Sequence, residues 1–364
     1  MKVGVLQFFS WPERRVALET VYERAFQRIE VMDRTGYDAI WLAEHHFTGY
    51  SVCPSVHVMA THIAARTQRL RIGTAVTLAA FYHPLRIAEE IAMLDVVSGG
   101  RIISGFVRGI GPEYFSLAVN PTHSRERFYE AAELILRAWT EEGPFPFDGK
   151  FYRYPYVNPW PRPIQKPHPP VWCPSQGSTE TVEWAAKRRF PYLMVFTPIK
   201  RIAQIYSEYR EACERYGYTA SRYQLTVNLP IVVAENDAKA ERIARENALW
   251  VYNVGLRMST PFYQPPGYTT EPSLRRVLEN RPKLPTELTF EDLEEGGYII
   301  CGSPATVRDK LKVFSEELRA GIVCSGMNGG THEKTLEMMQ LFAEEVMPHF
   351  REDAAVDETA GVGR

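Results

Sequence analysis

Short apolar segments alternate with longer segments of helical period along most of the chain. The run from Val3 to Phe9 is almost continuously apolar, which is typical of a strand buried on both faces. After His83 and Pro84, apolar side chains recur every three residues as far as Leu94, which predicts a helix with proline in its first turn. We predict eight strands separated by helices, at 3–9, 39–44, 70–78, 101–107, 170–175, 192–196, 225–234 and 321–326.

Alternating strands and helices predict parallel pairing with right-handed crossovers. Eight such units favour a closed barrel over an open sheet, and no GxGxxG follows the first strand as a dinucleotide-binding fold requires. The predicted fold is therefore α/β, a (β/α)8 TIM barrel with a proline-rich insertion before the last barrel strand. Residues 1–350 would form this single domain. The insertion at 257–297 shows little regular period, and the small polar residues 351–364 predict a disordered tail.

Composition excludes several classes of protein. The 42 basic and 44 acidic residues leave a formal charge of −2, which gives no electrostatic reason to expect a nucleic acid or membrane partner. No segment approaches the ~20 consecutive apolar residues of a membrane helix, and the N-terminus does not look like a secretory signal. Five scattered cysteines without a CxxC pair argue against a disulfide framework. We expect a cytoplasmic protein.

The active site of a TIM barrel lies at the carboxyl ends of its strands, so the residues that follow each strand are candidates. Glu44, His45 and His46 follow the second strand. Histidine is the usual proton donor or acceptor at neutral pH, and a neighbouring carboxylate can fix its tautomer. The alternative is a histidine that only makes structural hydrogen bonds. We expect no metal site, because the spacing shows no third ligand.

The residues that follow two other predicted strands indicate an anion-binding site. Arg108 follows the fourth strand, and residues 175–181 place glycine and hydroxyl side chains at the start of a helix, where backbone N–H groups bind anions. Taken singly, Arg108 could equally be a salt-bridge partner, and Ser178 is more simply an ordinary N-cap. Their position at adjacent strand ends favours a shared phosphate.

Together these segments resemble the bacterial luciferase-like flavin monooxygenases. The likeness spans residues 1–350 in order, and EHHF with the HP…LD…SGGR block is its most specific part. The matching stretches are WLAEHHF (41–47), RIGTAV (71–76), HPLRIAEEIAMLDVVSGGR (83–101), the arginine of VRG (107–109), PVWCPSQGSTETVEWAA (170–186) and LFAEEVMPHF (341–350).

The resemblance implies a (β/α)8 barrel that binds FMN at its mouth. The flavin ring would lie over a non-prolyl cis peptide at Ala75–Val76, an arrangement that costs ~3 kcal/mol and must be enforced by the fold. The luciferase catalytic subunit has an acidic residue in place of Gly177. The implied cofactor-binding residues are Glu44, Ala75, Val76, Arg108, Gly177, Ser178 and Thr181.

The implied function is a monooxygenase that oxidises a small, apolar organic substrate with reduced FMN and O2, through a C4a-hydroperoxyflavin. The reduced FMN would come from a separate NAD(P)H:flavin reductase. His45 matches the family's catalytic histidine and would act as general acid or base, whereas Val107 replaces a reactive cysteine of luciferase. The insertion would be a lid, and Tyr114, Phe262 and Tyr263 would contact the substrate unless they only pack the insertion.

Two other functions stay open. A deazaflavin-dependent reductase or dehydrogenase of the same superfamily would transfer hydride and ignore oxygen, and the EHHF motif occurs across the whole group. A non-catalytic flavin-binding subunit would be expected to lose the catalytic histidine, which this chain keeps. Family members are usually dimers packed through helices near the first barrel units, so we expect a homodimer.

Overall fold

The computed structural model describes residues 1–195, 197–250, 259–279 and 288–350. The predicted tail at 351–364 lies outside the described residues, as do residues 257–258 and 280–287 of the predicted insertion. No helix in the described ranges has the length and apolar content needed to cross a lipid bilayer.

The strands form a barrel of eight parallel members, as predicted. Pairing runs in the order β10, β13, β1, β2, β3, β5, β8 and β9, and a bridge between Tyr192 and Leu225 closes the ring. β4 extends the third strand beside β5, β6 and β7 form an antiparallel hairpin, and β11 pairs with β12. The strands are β1 (Lys2–Gln7), β2 (Ala39–Leu42), β3 (Arg71–Thr74), β4 (Thr77–Leu78), β5 (Ile102–Val107), β6 (Phe145–Asp148), β7 (Arg153–Val157), β8 (Val171–Ser175), β9 (Tyr192–Met194), β10 (Thr226–Val227), β11 (Ile231–Val233), β12 (Ile300–Gly302) and β13 (Ile322–Ser325).

Helices cover the outside of the barrel, and local caps define their ends. The Ser55 hydroxyl accepts a hydrogen bond from the backbone of Val58, and Gly36 ends the first helix with a φ of 96°. The helices are α1 (Leu18–Thr35), α2 (Val56–Arg66), α3 (Pro84–Val97), α4 (Gly111–Ser116), α5 (Ser124–Thr140), α6 (Thr179–Lys187), α7 (Ile199–Arg215), α8 (Asp237–Asn247), α9 (Thr260–Tyr263), α10 (Glu271–Glu279), α11 (Phe290–Glu295), α12 (Pro304–Leu318) and α13 (His332–Glu345).

The described part of the insertion is more regular than the sequence suggests. It contains α9, α10 and α11, so the expectation of little helical period is wrong for these residues. Prolines stand at the second position of α9 and α10, where the missing N–H has no helical partner. Thr289 and Asp292 cap α11 reciprocally, with Thr289 N donating to Asp292 Oδ2 at 2.9 Å.

Two tryptophans fill the middle of the barrel. Trp41 on β2 and Trp172 on β8 are 1% and 5% exposed, and their ring centroids lie 4.7 Å apart. Glycine at position 73 makes room for this pair, because a Cβ built there would lie 2.3 Å from Cε3 of Trp41. The tryptophans therefore separate the two ends of the barrel interior.

The packing around Trp41 predicts the effect of one added methyl group. Gly73→Ala should lower the free energy of unfolding by ~1–3 kcal/mol, because the new Cβ overlaps the indole ring. Gly326→Ala is the matched control, since a Cβ there meets nothing within 4 Å. Urea unfolding measures both variants, and equal stability of the two would contradict this account of the barrel interior.

Candidate active site

A cavity opens at the carboxyl end of the barrel, where TIM-barrel enzymes carry their active sites. Its wall is formed by residues at or just after β1, β2, β3, β4, β5, β8 and β9, by residues of α4, α5 and α6, and by the insertion. The cavity brings together most of the predicted site residues, and these are Glu44, His45, Ala75, Val76, Arg108, Ser178, Thr181 and Tyr263.

His45 forms one side of the cavity and is held by aromatic residues. Its Nε2 lies 2.7 Å from the hydroxyl of Tyr50, and its ring stacks on Phe8 with an interplanar angle of 15°. Burial, reinforced by the neighbouring His46, lowers the pKa of His45 to about 3. The imidazole is therefore neutral at physiological pH, with one ring nitrogen as donor and the other as acceptor.

Glu44 contacts the second histidine rather than the first. Its Oε1 lies 3.0 Å from His46 Nε2 and accepts a 2.8 Å hydrogen bond from the hydroxyl of Tyr82. The carboxylate is 4% exposed, so these partners compensate a buried charge. The tautomer that Glu44 can fix is thus that of His46, while Tyr50 orients His45.

Cationic and hydroxyl groups gather on another part of the wall. Arg108 donates from Nη1 to the carbonyl of Tyr268 at 2.9 Å and to Ser124 Oγ at 3.3 Å. The Ser178 hydroxyl lies 2.6 Å from Thr181 Oγ1 and makes no bond to the backbone of α6. Ser178 therefore does not act as an ordinary side-chain N-cap, and both hydroxyls stand at the start of a helix, beside a guanidinium.

Arg125 is a further cation near this group that the sequence analysis missed. Its Nη1 lies 3.3 Å from Glu180 Oε2, and the guanidinium also interacts with the hydroxyl of Tyr129, which lines the cavity. Because Arg125 is paired with Glu180 and is not among the residues that line the cavity, it adds positive charge behind the wall but is not placed to touch a ligand. In the sequence Arg125 lies in the charged run SRERFYE, and no pattern there distinguishes it from the residues of an ordinary solvent-exposed helix face.

Three predicted site residues do not line the cavity. Gly177, at φ 91°, donates its N–H to Ser175 Oγ, and a Cβ there would meet Ile205 Cδ1 on α7 at 2.3 Å. Tyr114 donates its hydroxyl to the carbonyl of Arg108 and packs against Phe81 and Tyr268. Phe262 is 42% exposed and stacks on Phe115.

Glu113 and Tyr50 line the cavity but were not predicted. Adjacent helical residues point about 100° apart, so Glu113 faces the cavity where Tyr114 does not. Glu113 is 2% exposed, accepts the N–H of Ile110 at 3.1 Å, and has its pKa raised by burial. No pattern in the sequence distinguishes Glu113 from an ordinary helix-start carboxylate.

The expected cis peptide at Ala75–Val76 is not found. Among the described residues, cis bonds occur only before proline, at Gly143–Pro144, Trp160–Pro161 and Lys166–Pro167. The trans form is favoured by ~3 kcal/mol for a non-proline residue, and the Ala75–Val76 bond is trans. Both residues still line the cavity.

The cavity contains a thiol at a position other than the one expected from luciferase. Cys173 on β8 lines the wall, whereas the position of the luciferase cysteine is Val107. Burial raises the pKa of Cys173 to about 12, so this thiol stays protonated and is a poor nucleophile.

The insertion contributes the outer wall. Tyr263, Gln264, Tyr268, Thr269 and Ser273 line the cavity. The Tyr268 ring lies over the Arg108 guanidinium at 4.3 Å, and its hydroxyl donates to the carbonyl of Gly109 at 2.7 Å. This segment is therefore anchored on the β5–α4 loop.

Comparison with known proteins agrees with this geometry. The family model described as luciferase-like monooxygenase matches residues 1–320. A curated relative from Acinetobacter baylyi, the oxygenase component of flavin-dependent trigonelline monooxygenase, is 26% identical over 62% of this chain. The match spans 63% of that relative, less than two thirds of its length.

Solved structures show the same fold at low identity. The oxygenating constituent of 3,6-diketocamphane monooxygenase from Pseudomonas putida, solved with FMN, has a TM-score of 0.77 at 18% identity and covers 96% of this chain and 98% of its own. The coenzyme F420-dependent tetrahydromethanopterin reductase from Methanopyrus kandleri has a TM-score of 0.69 at 19% identity, with 96% and 99% covered.

The neutral state of His45 predicts a pH dependence of stability. Its folded pKa of about 3 lies below the unfolded value near 6.5, so the unfolded chain binds more protons between these pH values. Stability should therefore fall as the pH drops through this window, and His45→Asn should remove up to about 1 kcal/mol of that loss per pH unit.

The control is His123→Asn, because the His123 side chain is 48% exposed. Urea unfolding from pH 7 to 4 measures the slopes, and parallel slopes for native protein and His45→Asn would refute the assignment.

Proposed function

The chain belongs to the luciferase-like monooxygenase family, and on that premise we propose that it is an FMNH2-dependent monooxygenase that oxidises a small, largely apolar organic substrate with O2. One observation carries the proposal. His45 and the group formed by Arg108, Ser178 and Thr181 line the same cavity at the carboxyl end of the barrel. Such a cavity fits a cofactor whose anionic end contacts Arg108, Ser178 and Thr181 and whose redox-active ring faces His45.

The anionic end has a matching set of donors. Arg108 supplies a guanidinium, and Ser178 and Thr181 supply hydroxyls at the start of α6. These groups fit the phosphate of FMN, because charge-assisted hydrogen bonds from arginine suit phosphate oxygens. Apolar side chains of Leu6, Ala43 and Leu193 supply a surface for a flat ring. A bound reduced flavin supplies the electrons that activate dioxygen.

The polar residues of the inner wall would donate and accept hydrogen bonds while they are uncharged. The neutral His45 ring would hold a proton on one of its two nitrogens. Its Nε2 lies 2.7 Å from the Tyr50 hydroxyl, which can pair with either tautomer. Its lowered pKa disfavours an imidazolium acid and favours a neutral hydrogen-bonding role. Glu113, whose pKa is raised by burial, offers a carboxyl group that can hold a proton at the same wall.

The insertion would act as the lid that keeps water out. Its described residues Tyr263, Gln264 and Tyr268 line the outer wall. The Tyr268 carbonyl accepts a hydrogen bond from Arg108, which lies at the end of the site that we propose for the cofactor phosphate. Exclusion of water protects reactive intermediates and strengthens polar interactions inside.

The proposed partners are a separate NAD(P)H:flavin reductase and a second copy of the chain. The designation of a relative as an oxygenase component supports the reductase. For the homodimer, α2 and α3 are joined by a 2.8 Å contact between His57 and Glu90, and they expose Val58 (72%) and Met93 (49%). Sedimentation of the native protein, compared with Val58→Asp, tests the dimer.

The oxygenase reaction is tested directly with ¹⁸O2. Native protein, FMN, a generic flavin reductase and NADH should incorporate label into a product from a panel of aldehydes, ketones, amines and terpenoids. His45→Ala should lower the product formed per FMNH2 at least tenfold if His45 takes part. Oxidation or reduction of substrate by deazaflavin without oxygen would establish the hydride-transfer alternative. Flavin binding without turnover of either cofactor would establish a non-catalytic subunit.

The phosphate contact is tested separately by binding. Arg108→Gln should weaken FMN binding about 10- to 100-fold, the usual effect of one charge-assisted contact, and change riboflavin binding less than twofold. Arg188→Gln, which removes a surface cation paired with Glu133 at the far end of α6, should leave both affinities unchanged. Fluorescence titration of each flavin measures this. Equal losses for FMN and riboflavin would place Arg108 away from the phosphate.

A further inference from the structure

Two polar residues of the active-site cavity are not used by the proposed cofactor contacts. Glu113 lies on α4, Gln264 directly follows α9 in the insertion, and both line the cavity. The two segments are in direct contact, because a Cβ built on Gly111 would overlap the carbonyl oxygen of Phe262. We name Glu113 and Gln264 the acid–amide pair.

Gln264 presents an acceptor that has no donor. Its Oε1 is buried and has no hydrogen-bond partner among the described residues. A buried acceptor left without a donor is costly, so a ligand that brings an N–H or O–H group gains this bond without breaking an existing one. The Gln264 side chain therefore favours a ligand with a hydrogen-bond donor.

Glu113 supplies the complementary group. Its Oε2 accepts the N–H of Ile110 at 3.1 Å, and no other side chain in the described ranges donates to this carboxyl. Burial raises the pKa of Glu113, and the nearby Glu44 acts in the same direction. Because Oε2 already accepts a hydrogen bond, the proton of the neutral form belongs on Oε1, which makes that oxygen a donor.

The acid–amide pair lies close to the histidine of the site. Burial raises the pKa of Tyr50, and Tyr263 and Glu113 add to this effect, so both lie near the Tyr50 hydroxyl. That hydroxyl is 2.7 Å from His45 Nε2. A ligand bound to the pair would therefore lie in the part of the cavity that contains His45.

We propose that the acid–amide pair binds the polar group of the substrate, and that this group is a hydroxyl or a carboxamide. Either group offers an acceptor to Glu113 Oε1 and a donor to Gln264 Oε1, whereas an ether or a ketone satisfies Glu113 alone. Phe8 and Tyr50 line the same cavity and suit an apolar body. The assignment to a substrate rests on the proposed monooxygenase function.

Four probes that share a benzene ring test the hydrogen-bonding requirement. Benzyl alcohol and benzamide carry a donor and an acceptor, benzyl methyl ether carries only an acceptor, and ethylbenzene carries neither. Calorimetric titration of the full chain, with and without oxidised FMN, should show that benzyl alcohol or benzamide binds at least fivefold more tightly than the ether, the effect of one neutral hydrogen bond. The tighter of the two identifies the functional group. Affinities for the alcohol and the amide no greater than that for the ether would overturn the proposal.

Substitutions of the pair test the two residues separately. Glu113→Leu and Gln264→Leu should each weaken binding of the tighter probe about fivefold and change ethylbenzene binding less than twofold. Glu113→Gln should keep the affinity within twofold, because its amide N–H can donate from the position of Oε1. Gln68→Leu, the same change at an exposed residue after α2, is the control and should leave every affinity unaltered.

If Glu113→Leu does not fold, the comparison of Gln264→Leu with native protein still decides. Equal losses for all four probes would give the pair a purely structural role and overturn the proposal. The ¹⁸O2 assay separates the pair from the proposed function. Label in a product together with unselective probe binding would overturn the pair alone. Selective probe binding without label in any product would refute the monooxygenase, and the pair would then bind a ligand that is not oxidised.

Discussion

The parallel direction of all eight barrel strands is the constraint on which the site depends. Because β2, β5 and β8 run the same way around a closed ring, the residues that follow them reach one rim although they are far apart in sequence. His45, Arg108 and Ser178 meet for this reason alone. An open sheet with the same segments would leave the first and last strands at opposite edges.

Burial determines the electrostatics of the site. The side chains that line the cavity, such as Phe8 and Tyr50 around His45, exclude water and shift titratable groups towards their neutral forms. His45 has a lowered pKa and Glu113 a raised one, both through burial. Positive charge on the described wall of the cavity comes from Arg108. The cavity thus combines a half in which burial favours neutral groups, around His45 and Glu113, with a cationic half around Arg108.

Strand positions and the fold could be predicted because apolar runs and helical periods are local properties of the sequence. Residues that directly follow strands, such as Glu44, His45 and Arg108, could be predicted for the same reason. The direction in which a loop or helix side chain points could not. Glu113 and Tyr114 are neighbours in a six-residue helix, and only the orientation of α4 on the barrel decides which one faces the cavity.

Arg108 links the cationic half of the cavity to the insertion. Both of its hydrogen bonds, to Ser124 and to the Tyr268 carbonyl, leave from Nη1, and within the described residues none leaves from Nε or Nη2. The edge formed by Nε and Nη2 presents two parallel N–H groups, which can bind a phosphate in a bidentate manner. The guanidinium can therefore hold an anion and the insertion at the same time. Because the same guanidinium lies 4.3 Å from the centre of the Tyr268 ring, the placement of this part of the insertion and the orientation of the guanidinium depend on each other.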